Sequence, residues 1–291
     1  MAPARRKRKE EIKITIGPFR NLADYDTCMD IQREVWRCED IDVVPLAVMV
    51  AANRYGGISL GAYNSLGEMT GFCWSILGME NGEVLQHSHM LAVRTAYRNF
   101  DVGFRLKSAQ RKETLRHKLN TITWTFDPMQ PMNAHFNLGK LGAWTAVYHE
   151  NFFGETTSSL HRGLPTDRLL VRWDLKSPKV EERLEGGPPR RDLRKELKKY
   201  PAMNQLEELA PGMTASSSLK LNLTADQVLF EVPYNLPEIK ARNLGVALEW
   251  QGKMRQAFRN YFKKGYAATD FWVAEEDGHL RTFYFLEKKM K

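Results

Sequence analysis

The chain has 291 residues and is 43% hydrophobic, 27% charged and 11% aromatic, a globular composition with enough length to bury a sizeable core in one or two domains. It has no apolar run of membrane-spanning length, no apolar segment behind its charged start, and no CxxC among Cys28, Cys38 and Cys73, which excludes membrane-spanning, secretory and thiolate-zinc classes and leads to an expectation of a reducing, cytoplasmic setting. The net charge of +8 and pI near 9.3 suit a polyanion: a ligand phosphate first, and nucleic acid second, because no RNP, zinc-finger or helix-turn-helix signature accompanies the charge.

Residues 1–11 read as a disordered basic tail, and Ile12–Ile16 as a strand that stops at Gly17-Pro18. Leu22, Tyr25, Met29, Val35 and Trp36 recur at helical spacing, with Asn21 as N-cap and Asp24 at the capping-box position. An acidic loop, Glu39–Asp42, leads to a helix over Pro45–Asn53. Ile58–Tyr63 and Glu68–Leu77 read as a hairpin around Asn64–Gly67, and a second turn over Gly78–Gly82 leads into a strand from Val84 through Val93. Beyond it Val102, Leu106 and Ala109 mark one face of a helix, whose start follows Arg98-Asn99-Phe100-Asp101-Val102-Gly103. Such a start presents unpaired N–H groups and a positive dipole end, which suits a phosphate.

Thr121–Phe126 reads as a buried strand, Met132–Trp144 as a helix, and Leu169–Leu175 as a strand. The charged stretch 176–225, broken at Gly186-Gly187-Pro188-Pro189, reads as a linker with short helices. A last unit, 226–291, starts with a strand at Gln227–Val232. It continues with a long helix over Glu238–Lys264, lined on one side by Leu244, Leu248, Phe258 and Phe262 and followed by Gly265. A hairpin of Ala268–Ala274 and Leu280–Leu286 closes it. The expected fold is α/β (α+β): a mixed, mostly antiparallel sheet flanked by helices over 12–175, plus a C-terminal βαββ unit.

The stretch Val84–Gly142 resembles the GNAT superfamily of N-acetyltransferases, and the order of elements extends the resemblance over about residues 12–175. In that family the acyl-CoA pyrophosphate sits on a loop of pattern R/Q-x-x-G-x-G/A. Arg98 and Gly103 match it, while Asp101 stands at the usual first glycine and sets a carboxylate beside a diphosphate. Asn137-Leu138-Gly139-Lys140-Leu141-Gly142 is similar to the family's later helix with its Lys-x-Gly ending, and the C-terminal third resembles extensions on uncharacterised predicted acetyltransferases.

The resemblance implies that the backbone of Leu91, Ala92 and Val93 lies along pantetheine and polarises the thioester. It implies that Arg98, Asn99, Phe100, Asp101, Val102, Gly103 and Phe104 hold the pyrophosphate, with Asn137 joining the cofactor set. The family's base falls at His87, eleven residues before Arg98; His89 projects from the same strand face, and both suit proton transfer near neutral pH. The family's tyrosine acid falls where Leu138 stands, and Tyr148 is the nearest substitute. His87 and His89 lack an evident third ligand beyond Asp127 or His135, so no metal is expected.

Glu34, Glu39 and Asp40 read as amine-recognising or solvated acids, and Trp36, Trp74, Trp124 and Trp144 as core or substrate-wall residues. G-x-S-x-G, H-E-x-x-H and Walker A motifs are all absent. The implied activity is N-acyl transfer from acetyl-CoA or another acyl-CoA to a small amine or amino-acid-like acceptor. The alternatives are acyl-CoA sensing without turnover and, more remotely, nucleic-acid binding or RNA modification; no membrane partner is expected and a homodimer is left open.

Overall fold

The computed structural model describes residues 13–98, 100–158, 163–276 and 278–288; the basic tail, Ile12 and Asn99 lie outside them. The chain divides into two compact units, one of residues 1–77 and 88–113 and one of residues 78–87 and 114–291. Ten of the described strands form a mixed sheet whose described pairs are antiparallel except for one, and two more form a separate antiparallel pair.

In the first unit the strand order is β1 (Thr15–Pro18), β2 (Ile58–Tyr63), β3 (Met69–Glu80) and β4 (Glu83–Val93), the last two running on into the second unit. β1 includes Gly17 and Pro18, paired with Gly61 and Leu60, so the expected stop there is wrong. β1 ends the sheet, and on an edge strand a proline's missing N–H removes no ladder bond. Helix α1 (Leu22–Trp36) starts as expected, with Asn21 Oδ1 accepting from the Asp24 N–H at 3.3 Å. Asp24 reaches one residue further back than a capping box would, to the N–H of Arg20 at 2.6 Å and to its guanidinium at 3.0 Å.

α2 covers Leu46–Arg54, with Pro45 at its N-cap instead of inside its first turn. These two helices pack Tyr25, Cys28, Ile31 and Met49 on Tyr63, Phe72, Trp74, Met90 and Ala92. α3 (Val102–Arg116) packs Val102 and Leu106 on Ile58, Leu60, Ala62 and Cys73.

The second unit orders its strands from the start of β4 through β5 (Thr121–Phe126), β7 (Arg168–Asp174), β6 (Trp144–His149), β11 (Tyr266–Glu276) and β12 (His279–Lys288) to β10 (Gln227–Pro233). β4 and β5 run parallel through Gln86↔Ile122 and His87↔Thr123. The helix expected over Met132–Trp144 is shorter: α4 takes Pro131–Ala134, continues as a π-turn over His135–Lys140, and ends where Gly142 adopts φ +72°. Trp144 then opens β6, a strand that the helical reading hid.

The charged stretch holds α5 (Pro178–Gly186) and α6 (Leu193–Lys199) but also a hairpin, β8 (Asn204–Ala210) and β9 (Met213–Leu219), turning at Pro211-Gly212. The long C-terminal helix is two: α7 (Leu236–Arg242) and α8 (Leu244–Lys263). Asn243 leaves helical geometry at φ −150° and caps α8, its Oδ1 accepting from the Val246 N–H at 3.1 Å. That start sets a different buried face, Val246, Ala247, Trp250, Met254, Phe258 and Tyr261, and leaves Leu244 and Leu248 exposed. Among the described residues no helix is long and apolar enough to cross a membrane.

Candidate functional site

β4 leads through a single 3₁₀ turn, Thr95–Tyr97, into the loop before α3. Arg98 is exposed, and its Nε donates to the Val93 carbonyl at 3.3 Å, folding the side chain back over the strand end. Asp101 adopts φ +54° and its carbonyl accepts from the Arg105 N–H at 3.0 Å, which starts the helix. The left-handed conformation that a glycine would provide is therefore kept by an aspartate, one of the few other residues that adopt it routinely. Val102, Gly103 and Phe104 form the first turn of that helix. An exposed arginine, the left-handed residue and a helix start with glycine suit a diphosphate; the exposed Asp101 carboxylate opposes one. Asn99 lies outside the described residues.

β4 presents its candidate side chains from a strand that breaks its alternation. Ser88 lies on the α3 side, its Oγ 3.7 Å from Cys73 Sγ. His89 lies on the other side, edge-on to Trp74 at 5.7 Å, and Met90 joins Trp74 and Phe72 there. Two consecutive side chains thus face the same way, as at a β-bulge. His89 is exposed, yet desolvation by its surroundings lowers its pKa. His87 is half-buried, its Nδ1 3.0 Å from Thr123 Oγ1.

Behind this strand lies a group that the sequence reading missed. Lys107 is 2% exposed, and its Nζ donates to Ser88 Oγ at 3.0 Å and to Gln110 Oε1 at 2.9 Å. Burial lowers its pKa to about 8. A signal was present: Lys107, Gln110 and Thr114 recur at helical spacing and all three are buried.

The other predicted residues are engaged elsewhere. Asn137 is buried, and its Oδ1 accepts from the Trp124 indole at 3.1 Å. Tyr148 donates to Asp167 Oδ2 at 2.6 Å, and Arg255 meets both oxygens of that carboxylate at 2.9 and 3.0 Å. Burial and the Asp167 charge push the phenol far above its ordinary pKa. Leu138 is buried. Glu34 pairs with Arg94, and Asp40 with Arg33 at 2.7 Å, which favours solvated or paired acids at those positions.

Trp74 and Trp124 are core residues, Trp36 packs edge-on against Phe72 at 6.3 Å, and Trp144 Nε1 donates to Asp174 at 2.7 Å. A polar cleft of about 500 Å³ in the first unit is lined by Arg20, Asp24, Asn64, Glu68, Arg94 and Tyr97, among others; its two guanidinium groups are each paired with a carboxylate. Among the described residues no group of three or more His, Cys, Asp or Glu gathers as a metal site would need.

No protein-family model matches the sequence, and no curated protein matches it. Solved structures do. The ribosomal-protein-S18-alanine N-acetyltransferase from Escherichia coli is 14% identical and covers 57% of this chain and 96% of its own, with a TM-score of 0.44. Aminoglycoside 6'-acetyltransferase type Ii is 20% identical over 56% of this chain and 98% of its own, with a TM-score of 0.44. Ard1 from Thermoplasma volcanium is 13% identical over 55% of this chain and 95% of its own, with a TM-score of 0.41.

Proposed function

We propose that this chain is a GNAT-type N-acyltransferase that uses acyl-CoA, acetyl-CoA by default, and acts on a small amine or amino-acid-like acceptor. The observation that carries the reading is the β4–α3 junction, where Asp101 holds a positive φ at the pattern's glycine position between exposed Arg98 and first-turn Gly103. Arg98 and the N–H groups of Val102, Gly103 and Phe104 would hold the pyrophosphate, and the β4 backbone from Leu91 to Val93 the pantetheine arm.

Bound acyl-CoA supplies a thioester carbonyl open to attack by an amine. The chain has to hold that amine, remove its proton and exclude competing water. If Nδ1 donates to Thr123 Oγ1, Nε2 of His87 can accept the amine proton; His89 is the second candidate on the same face. Titration calorimetry with acetyl-CoA and CoA tests the reading: binding is expected in the micromolar range, weakened by Arg98→Glu, and no heat at millimolar ligand would sink it.

A second reading is acyl-CoA binding without turnover. It is favoured by Leu138 in the place of the family's tyrosine and by Tyr148 being committed to Asp167. Tight binding with no acylated product across a panel of primary amines would establish it.

A further inference from the structure

The amine of Lys107 occupies a place where an apolar side chain would be cheaper. It lies buried on α3 beside Cys73, and desolvating an ammonium group disfavours the folded state. A methionine has similar length and would fill the space without that penalty. What the amine adds includes hydrogen bonds to Ser88 and Gln110, and Ser88 lies just before the place where β4 loses its alternation. Ser88 and His89 still alternate; Met90, which should return to the Ser88 side, faces Trp74 with His89. A strand is weakly determined at such a slip, because the regular ladder no longer fixes which way each residue points. The Lys107 ammonium clamps Ser88 Oγ at 3.0 Å and is itself steadied by Gln110 Oε1 at 2.9 Å one turn along the same helix.

We propose that Lys107 is a positioning residue for acyl transfer: through Ser88 it sets the backbone phase of β4, and with it the aim of His87 and His89, without touching acyl-CoA. One side chain thereby ties the helix whose first turn would bind the pyrophosphate to the strand that carries the candidate base. This rests on the acyltransferase reading above. Groups facing the amine include Ser88 on β4, the titratable Cys73 on β3, and Gln110 on its own helix.

The test uses the full chain with Lys107→Met, Ser88→Ala and the double variant, and with Ser88→Thr to restore the hydroxyl. All four are checked for folding by near-UV circular dichroism. Lys107→Met and Ser88→Ala should each lower kcat about ten- to hundredfold, as misplacing reacting groups by about 1 Å does, while CoA affinity stays within about threefold. The double variant should be no worse than the worse single one, and Ser88→Thr should recover most of kcat. Losses that multiply in the double variant, or a Lys107→Met enzyme with wild-type kcat, would overturn the proposal.

A readout independent of turnover is the imidazole NMR spectrum: Lys107→Met should shift the signals of His87 and His89 and leave the other histidines in place. Unmoved His87 and His89 signals overturn the positioning role even if the wild type proves to bind CoA without catalysing transfer. Moved signals in a protein without turnover sink only the catalytic reading.

Discussion

Lys107 and Tyr148 both carry a proton away from water, and the chain treats them in opposite ways. Tyr148 is fastened by full charges: its hydroxyl meets Asp167, and Arg255 closes on the same carboxylate. Its ring stacks on Phe258 of α8 at 6.1 Å. Lys107 donates instead to a hydroxyl on β4 and an amide on its own helix. A phenol locked to a carboxylate and far above its ordinary pKa is a structural fastening, unfit to give up its proton to a leaving thiolate. Lys107, its pKa lowered to about 8 by burial, donates instead to the strand that bears the two histidines. The two units thus bury polarity for different ends: the second to hold its C-terminal elements on β6 and β7, the first to set a strand.

The contrast breaks most visibly by removing charges on the Tyr148 side. Asp167→Ala leaves the Tyr148 hydroxyl and the Arg255 guanidinium without their shared acceptor, and Asp167 is 1% exposed. The expected loss is about 3 kcal/mol, toward the low end for a broken buried pair because Arg255 keeps a quarter of its side chain in water. Urea denaturation reads it as a fall in midpoint at constant m-value. Tyr148→Phe should lose less and leave any turnover within a few-fold. A hundredfold drop in kcat for folded Tyr148→Phe would return that residue to the role of acid and erase the comparison.

On the other side the expected effect is a pH dependence. The folded pKa of Lys107, about 8, lies below the ordinary lysine value of 10.5, so between these values the unfolded chain binds a proton that the folded chain has released. Stability should therefore rise as pH increases from about 8 to about 10.5, by about 3 kcal/mol in all. Below pH 8 both states hold the proton and the penalty is present in full. Lys107→Met should be more stable than wild type at pH 7 and lack that rise. Denaturation midpoints for the two proteins across pH 7–10.5 decide it: parallel curves would mean that the amine is not desolvated.

Much of this arrangement was legible in the sequence, in proportion to how local its cause is. Asn21 caps α1, Thr121–Phe126 is β5, and Val102 and Leu106 face the core, because cap chemistry and period act within a few residues. β6 was not legible: Trp144–His149 follows a helical stretch directly, and it is Gly142 at φ +72° that ends the helix and frees the strand. The face of α8 was misjudged because Asn243 breaks the helix one residue before Leu244 and shifts the buried stripe to Val246, Trp250 and Met254. At the junction, Arg98 and Gly103 were visible as a pattern, but the tie from Lys107 to Ser88 joins residues nineteen apart through tertiary packing, and only its helical stripe with Gln110 and Thr114 could have hinted at it.

Smaller effects separate the two units by their helix starts. Asn21→Ala removes the acceptor of the Asp24 N–H, and Asn243→Ala that of the Val246 N–H; each should cost about 1 kcal/mol. Asn243→Ala also removes the residue that keeps α7 and α8 apart. A loss at Asn21 with none at Asn243 would show that the break is held by packing and not by the cap.

The smallest expected change in stability falls at Asp101, and it is the most informative for binding. At φ +54° an aspartate is only mildly strained, and glycine there would relieve that strain while adding freedom to the unfolded chain, so Asp101→Gly should alter stability by less than about 1 kcal/mol. Its effect on an anion is one-sided, because the substitution removes an exposed carboxylate beside the first turn of α3 and keeps the backbone conformation that turn needs. CoA should bind several-fold more tightly to Asp101→Gly than to wild type, with the gain shrinking as salt screens the charge. Asp101→Asn should reproduce most of the gain, since it removes the charge and still tolerates the left-handed conformation. If both substitutions weaken CoA binding, the aspartate contacts the ligand itself, through a cation or a hydroxyl, and the loop reads its ligand differently from the pattern it resembles.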